Sequence, residues 1–387
     1  MSNALSPRHD LRVPPDVAVT VTPERFEAGI IEPDRFVADT EAFLDVRIAR
    51  SKGKASYSMI GPGVSQNAKQ SVNLTEAHGF NIGAASMPSG VVNNPHLHYS
   101  AEVFVCTRGR WEFAIGEHGD QRLEIETDSI LSVPTWVFRG FTNIGADDGW
   151  LFVALGGDDT GGIIWAPHIL EEAAQTGLYL RPDYSVIEPG DVPDPDAVVT
   201  PLSPEALASI DHYTDAELEQ RVVRPDARRW SDRALLSWTM EGHRVEVAPV
   251  IGHGLTQDRH HRSPITDPHG FSVDWLRVHP GAGTGLHRID VPQAMLLGRG
   301  RWRVTVNSGD DTLTAEPEPG SIVSIPAGAW RSLEAADDGP AEAVVVCSGE
   351  ESTAITWSPE VLAAAAEAGW GVDASGYCAP LDLIARP

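Results

Sequence analysis

The chain repeats itself, and a repeat of this length fixes the architecture before any single element is assigned. EAHGFNIG around His78 returns as DPHGFSVD around His269, and RGRW at Arg108 to Trp111 returns at Arg299 to Trp302, each 191 residues later. SVPTWVFRG at Pro134 pairs with SIPAGAWRS at Pro326, and IIWAPHILEEAAQTG at Trp165 with ITWSPEVLAAAAEAG at Trp357, each 192 residues later. A single residue of drift across these landmarks means one domain written twice. At 387 residues the chain is in any case too long for one ordinary core.

Each copy reads as short strands, such as GFNIGAASM, RWEFAIG and WLFVAL, separated by turn clusters such as GEHGDQ, SGDDT and EPEPG. Many short strands at near-even spacing predict a closed all-β barrel or jelly roll. Each copy then ends in a short helix, with Pro167 and Pro359 in the first turn and Gly177 and Gly369 at the stop. The predicted organisation is an N-terminal arm at 1–50, a first barrel at 51–186, a linker and arm at 187–235, and a second barrel at 236–387. Pro189, Pro193, Pro195, Pro201 and Pro204 define the linker, since no strand or helix interior tolerates them. Residues 23–50 and 205–235 read as charged helical arms, each preceding its own barrel.

A formal charge of −26 excludes a nucleic-acid or anionic-membrane surface, which needs clustered Lys and Arg. No apolar stretch is long enough to span a bilayer, and the opening MSNALSPRHD has no apolar core, so neither secretion nor membrane insertion is indicated. Cys106, Cys347 and Cys378 are odd in number and lack paired spacing, which points to free thiols and a cytoplasmic setting. Lysine is confined to Lys52, Lys54 and Lys69, which reads as composition bias.

The chemistry is concentrated in PHLHYSAEVFVCTRG. There His96, His98 and Glu102 fall on alternate residues of a β-patterned run ending at Gly109, and period two places all three on one face of a strand. Two neutral imidazoles and a carboxylate are a ligand set for Zn, Fe, Mn or Ni. In the second copy His287 and Gln293 hold two of the ligand places and Ile289 and Arg331 the others, a set too poor to hold a divalent ion.

The pattern H-x-H-x-x-x-E-x-x-x-x-x-x-G at His96, His98, Glu102 and Gly109 resembles the first cupin motif, and PTWVFRGFTN from Pro134 to Asn143 resembles the second in its proline and asparagine. The resemblance covers nearly the whole chain. It implies a bicupin: two tandem cupin jelly-roll β-barrels with short flanking helices. Trp136, Phe138 and Asn143 are most similar to the gentisate 1,2-dioxygenase branch. That similarity implies Fe(II) held by His96 and His98, with O2 and a small, hydroxylated aromatic acid as substrates.

The chain departs from the pattern at Arg139, where cupins carry a third histidine, and a guanidinium cannot ligate a metal. Two readings follow. In one, His96, His98 and Glu102 form a two-histidine, one-carboxylate iron site, and Arg139 receives the substrate carboxylate. In the other, Glu102 pairs with Arg139, the barrel carries no metal, and the pair binds or isomerises a small acid as base and anchor. A third option is a Zn, Mn or Ni cupin with lyase or hydrolase activity.

Trp111, Trp136 and Phe104 are candidates for a substrate-stacking wall, although small barrels also fill their interiors with such side chains. Arg110, repeated as Arg301, suggests a salt bridge between barrel and arm. His78 and His269 read as structural, and His260 and His261 as an exposed loop. Exposed barrel edges make a homo-oligomer plausible.

Overall fold

The computed structural model describes residues 11–187 and 193–384. It divides into two units, one of residues 36–227 and one joining 11–35 to 228–384. Each unit is built chiefly from two sheets, antiparallel except where Val72–Leu74 runs parallel to Ala55–Ile60 in the first unit.

In the first unit a seven-stranded sheet runs Val222–Val223, Ile130–Val133, Glu102–Arg108, Gly149–Gly156, Phe80–Met87, Ala55–Ile60 and Val72–Leu74. A five-stranded sheet runs Ile163–Trp165, Val92–His98, Arg139–Asn143, Arg110–Ile115 and Gln121–Glu126. The second unit repeats this order at the expected offset. Its six-stranded sheet runs Ile30–Ile31, Ile322–Ile325, Gln293–Leu297, Ala341–Ser348, Phe271–Val278 and Val245–Ile251. Its five-stranded sheet runs Leu313–Ala315, Trp302–Val306, Arg331–Ala335, His287–Ile289 and Ile355–Trp357.

The closing helices form at Pro167–Gln175 and Pro359–Glu367, each with proline in its first turn. Gly177 and Gly369 both take φ +80°, the left-handed stop that glycine supplies without penalty. Gly109 has a similar role between strands: at φ +103° it links Glu102–Arg108 to Arg110–Ile115, and a Cβ there would lie 3.1 Å from Gly149 Cα.

The arms differ from expectation. They are short pieces, chiefly Pro23–Gly29, Pro204–Ala208 and Asp215–Glu219, because Gly29, Pro33 and Pro225 interrupt any longer helix. Nor does each serve the barrel it precedes. Ile30–Ile31 pairs with Ile322–Ile325 of the second barrel, whereas Val222–Val223 pairs with Ile130–Val133 of the first. The two borrowed strands thus cover equivalent edges in the repeat, which removes an exposed edge from each. Pro189 of the linker lies outside the described residues.

Arg110 pairs with Glu124 on the neighbouring strand, and Arg301, just before Trp302–Val306, with Glu316, just after Leu313–Ala315, so both bridges run within a barrel and not from barrel to arm. Each of His78 and His269 hydrogen-bonds a carbonyl two residues earlier through Nδ1. Cys106, Cys347 and Cys378 are free thiols. No helix among the described residues is long and apolar enough to cross a membrane.

Candidate metal centre in the first barrel

His96 and His98 lie on alternate positions of Val92–His98, a strand in the interior of the five-stranded sheet between Arg139–Asn143 and Ile163–Trp165. Glu102 is not on that strand. The chain leaves the sheet over residues 99–101, and Glu102 opens the strand Glu102–Arg108 in the other sheet, opposite Val133 and Leu155. The three side chains therefore meet across the barrel instead of along one strand. The alternation in sequence is real but spans a turn.

All are removed from solvent: His96 is 2%, His98 1%, Glu102 5% and Arg139 0% exposed. His96 Nδ1–H donates to Asn94 O at 2.7 Å, and His98 Nδ1–H to Gly162 O at 3.2 Å. Both bonds fix the tautomer and leave the Nε2 lone pair for the barrel interior, the arrangement that metal-binding histidines use. His98 Nε2 lies 3.4 Å from Glu102 Oε2, and one donor atom from each of the three residues falls within 4.8 Å of the others. Glu102 Oε2 is buried with no hydrogen-bond partner among the described residues. Burial, with His98 and Arg139 nearby, pushes His96 well below the usual imidazole range, so it stays neutral at pH 7. Two aimed lone pairs and an orphaned carboxylate oxygen fit a divalent cation.

Arg139 is set opposite His96 and Ile115 by strand register. Its Nη2 donates to Pro134 O at 2.6 Å, and its Nε stands 3.8 Å from Glu102 Oε2, an ion-pair separation too long for a hydrogen bond. Nε and Nη1 have no hydrogen-bond partner among the described residues. Burial lowers the guanidinium to about 10, against the opposing effect of Glu102, so it remains a cation at neutral pH. One carboxylate oxygen thus faces both His98 and Arg139.

A cavity of about 70 Å³ reaches these groups, lined by Lys54, Asn93, His96, His98, Glu102 and Phe141 among others. Arg139 does not line it, and neither do Trp111, Phe104 or Trp136. Trp111 and Phe104 pack with Phe113 and Phe141 in the hydrophobic core. Trp136 is 44% exposed and meets Tyr99 edge-on at 5.1 Å. Residue types suited to stacking were thus spent on packing, as small barrels demand.

The cation on the cavity wall is Lys54, which sequence reasoning passed over. Its ammonium donates to Asn93 Oδ1 at 2.7 Å and pairs with buried Asp45, which Asn94 Nδ2 also holds at 2.7 Å. It also stands 5.1 Å from the centroid of the Phe43 ring. The available signal was lysine scarcity: of Lys52, Lys54 and Lys69, one is buried among polar partners.

The second barrel provides an internal comparison. His287 Nδ1 again bonds a carbonyl, Gly285 O, at 2.9 Å. Arg331, however, is saturated: Nη1 donates to Gln293 Oε1 at 3.1 Å, Nη2 to Pro326 O at 2.8 Å and Nε to Ala329 O at 3.2 Å. Val245 stands where the first barrel has Lys54, Ile289 where it has His98, and Asp274 where it has Gly83. Its donor set is spent internally.

No protein-family profile matches the sequence, and no curated protein sequence matches it either. Solved structures do. An oxalate decarboxylase from Bacillus subtilis superposes with a TM-score of 0.53 at 13% identity, covering 90% of this chain and 80% of that one. An oxalate decarboxylase of Lactobacillus farciminis, solved as a formate complex, gives 0.52 at 13% identity, covering 83% and 89%. These bicupins are decarboxylases, not gentisate dioxygenases. At such identities the likeness is one of fold, and the fold of this chain is a tandem pair of cupin-type jelly-roll barrels.

Proposed function

We propose that the first barrel holds a divalent metal through His96 Nε2, His98 Nε2 and Glu102, and acts on a small carboxylic acid in a non-redox lyase or hydrolase reaction. One observation carries this reading: Glu102 Oε2 is buried without a hydrogen bond among the described residues, near two histidines whose Nδ1 atoms are both committed to carbonyls. The metal, when bound, polarises a carboxyl oxygen of the substrate and neutralises its charge. Lys54 binds the acid. Its ammonium has three donors, of which Asp45 and Asn93 take two, and the third is left for a substrate oxygen. Arg139 acts on Glu102, placing its positive charge 3.8 Å from the carboxylate.

Size supports a small acid. The cavity of about 70 Å³ is far below the roughly 300 Å³ at which pockets for drug-sized ligands begin. The fold likeness to oxalate decarboxylases, one of them solved with formate, points the same way.

The Fe(II) dioxygenase reading has the same donor set in its favour, since two histidines and a carboxylate with open positions suit O2 chemistry. Against it stand the size of the cavity and the absence of Trp111, Phe104 and Trp136 from its wall. The metal-free reading requires Glu102 to be satisfied by Arg139, and Glu102 Oε2 makes no hydrogen bond to it.

The test is metal analysis of protein purified without chelator, followed by assays on two- to four-carbon acids with and without O2. Stoichiometric metal and product formation under nitrogen are expected. Turnover that strictly consumes O2 would transfer the site to the dioxygenase reading, and failure to retain or bind any transition metal would end both.

A further inference from the structure

We propose that Glu117, His118 and His168 form a second divalent-metal site, on the outer surface of the first barrel and separate from the His96 centre. One donor atom from each of the three lies within 4.8 Å of the others, and the two imidazole rings are 5.2 Å apart at their centroids. The residues come from two rigid elements. Glu117 and His118 sit in the tight turn between Arg110–Ile115 and Gln121–Glu126, and His168 is in the first turn of the helix Pro167–Gln175.

Three further observations favour a ligand over a packing role. His168 Nδ1 is shielded from solvent yet has no hydrogen-bond partner among the described residues. The fold does not require a histidine there, because Glu360 occupies the matching position in the repeat. Glu172, one turn further along the helix, is not that partner: its oxygens accept from Arg50 at 2.6 and 3.1 Å, and neither bonds His168 Nδ1.

Two imidazoles and one carboxylate select Zn²⁺ and its neighbours over Mg²⁺ or Ca²⁺, which prefer all-oxygen shells. Three protein donors leave a coordination position open. Glu117 and His118, though not His168, line a cleft of about 420 Å³ whose wall also carries Asp120, Asp211 and His212. A fourth donor, or an acidic ligand bound through the metal, has room there.

The experiment uses the full chain carrying His96→Ala, so that its outcome is independent of the barrel site. Chelator-stripped protein is titrated with Co²⁺ followed by visible absorption, and with Zn²⁺ by calorimetry. One equivalent is expected to bind, with Mg²⁺ failing to compete. His118→Ala and His168→Ala should each weaken that binding by roughly tenfold or more, and Glu117→Gln should do so with little change in side-chain volume. Circular dichroism checks that each variant is folded. No binding to the His96→Ala protein, or binding that none of the three substitutions weakens, would overturn the proposal.

Discussion

Arg139 Nε approaches Glu102 Oε2 to 3.8 Å without a hydrogen bond, whereas their counterparts in the repeat, Arg331 Nη1 and Gln293 Oε1, are bonded at 3.1 Å. The same guanidinium position is thus saturated in one barrel and left short of acceptors in the other. A carboxylate held back from an arginine this near is available to a third party, and with two histidines beside it the cation proposed above is a suitable one.

Glu102→Gln should therefore convert the first site to the state of the second. The amide oxygen can accept from Arg139 as Gln293 does from Arg331, so the fold should survive with a melting temperature at or above that of the parent. Metal affinity should fall by roughly tenfold or more, since a charged ligand is lost. Inductively coupled plasma analysis and thermal melts read the two effects separately. Metal binding equal to that of the parent would show that Glu102 is not a ligand.

Lys54 calls for a paired experiment. Lys54→Met leaves Asp45 as an uncompensated buried carboxylate, at a cost of roughly 3–5 kcal/mol. Asp45→Asn in the same chain should restore much of that stability but not the binding of the acid. In the double variant KM for the acid should rise while the metal content stays the same. Recovery of both stability and KM would make Lys54 a purely structural residue.

The features that could be read from the sequence were those carried by periodicity. The repeat, the strand series and the two helices behind Pro167 and Pro359 all depend on local spacing, and they appear where the spacing puts them. The donor trio was also legible, although its geometry was not: residues 99–101 turn the chain out of one sheet, so Glu102 returns from the other. Lys54 was invisible because it is a single residue 42 positions before His96, placed just before Ala55–Ile60, a strand of the other sheet. The aromatic candidates failed for a different reason. Trp111 and Phe104 alternate inward, but inward positions near the tryptophan and phenylalanine core are filled before any cavity is lined. The exchange of arms between barrels has no sequence signature, because two isoleucines or two valines pair equally well with either edge.

Trp136 offers a check on the substrate wall. It is half-exposed at φ +62°, a conformation that costs a non-glycine residue roughly 1–3 kcal/mol, and its ring touches Tyr99 instead of the cavity. Trp136→Gly removes both the strain and the ring contact, so the melting temperature should change little. KM for the acid should be unchanged. A rise in KM without loss of stability would return Trp136 to the binding site.

The second barrel should carry a pH dependence of its own. Asp274 is fully buried, accepts one hydrogen bond from Leu255 N at 3.1 Å, and has its Oδ1 without a partner among the described residues. Burial pushes its carboxyl up to about 7, beside the buried Cys347 thiol that the same environment raises to about 12. The folded chain therefore holds a proton that the unfolded chain releases from about pH 4 upward. Stability from this group is present below the unfolded value and is lost as pH rises through the folded value near 7. Asp274→Asn, neutral at every pH, should be more stable than the parent at pH 8, with the advantage shrinking by pH 5. Urea denaturation of the full chain at the two pH values measures it, and parallel stability profiles for parent and variant would show that Asp274 is solvated or paired in the folded protein.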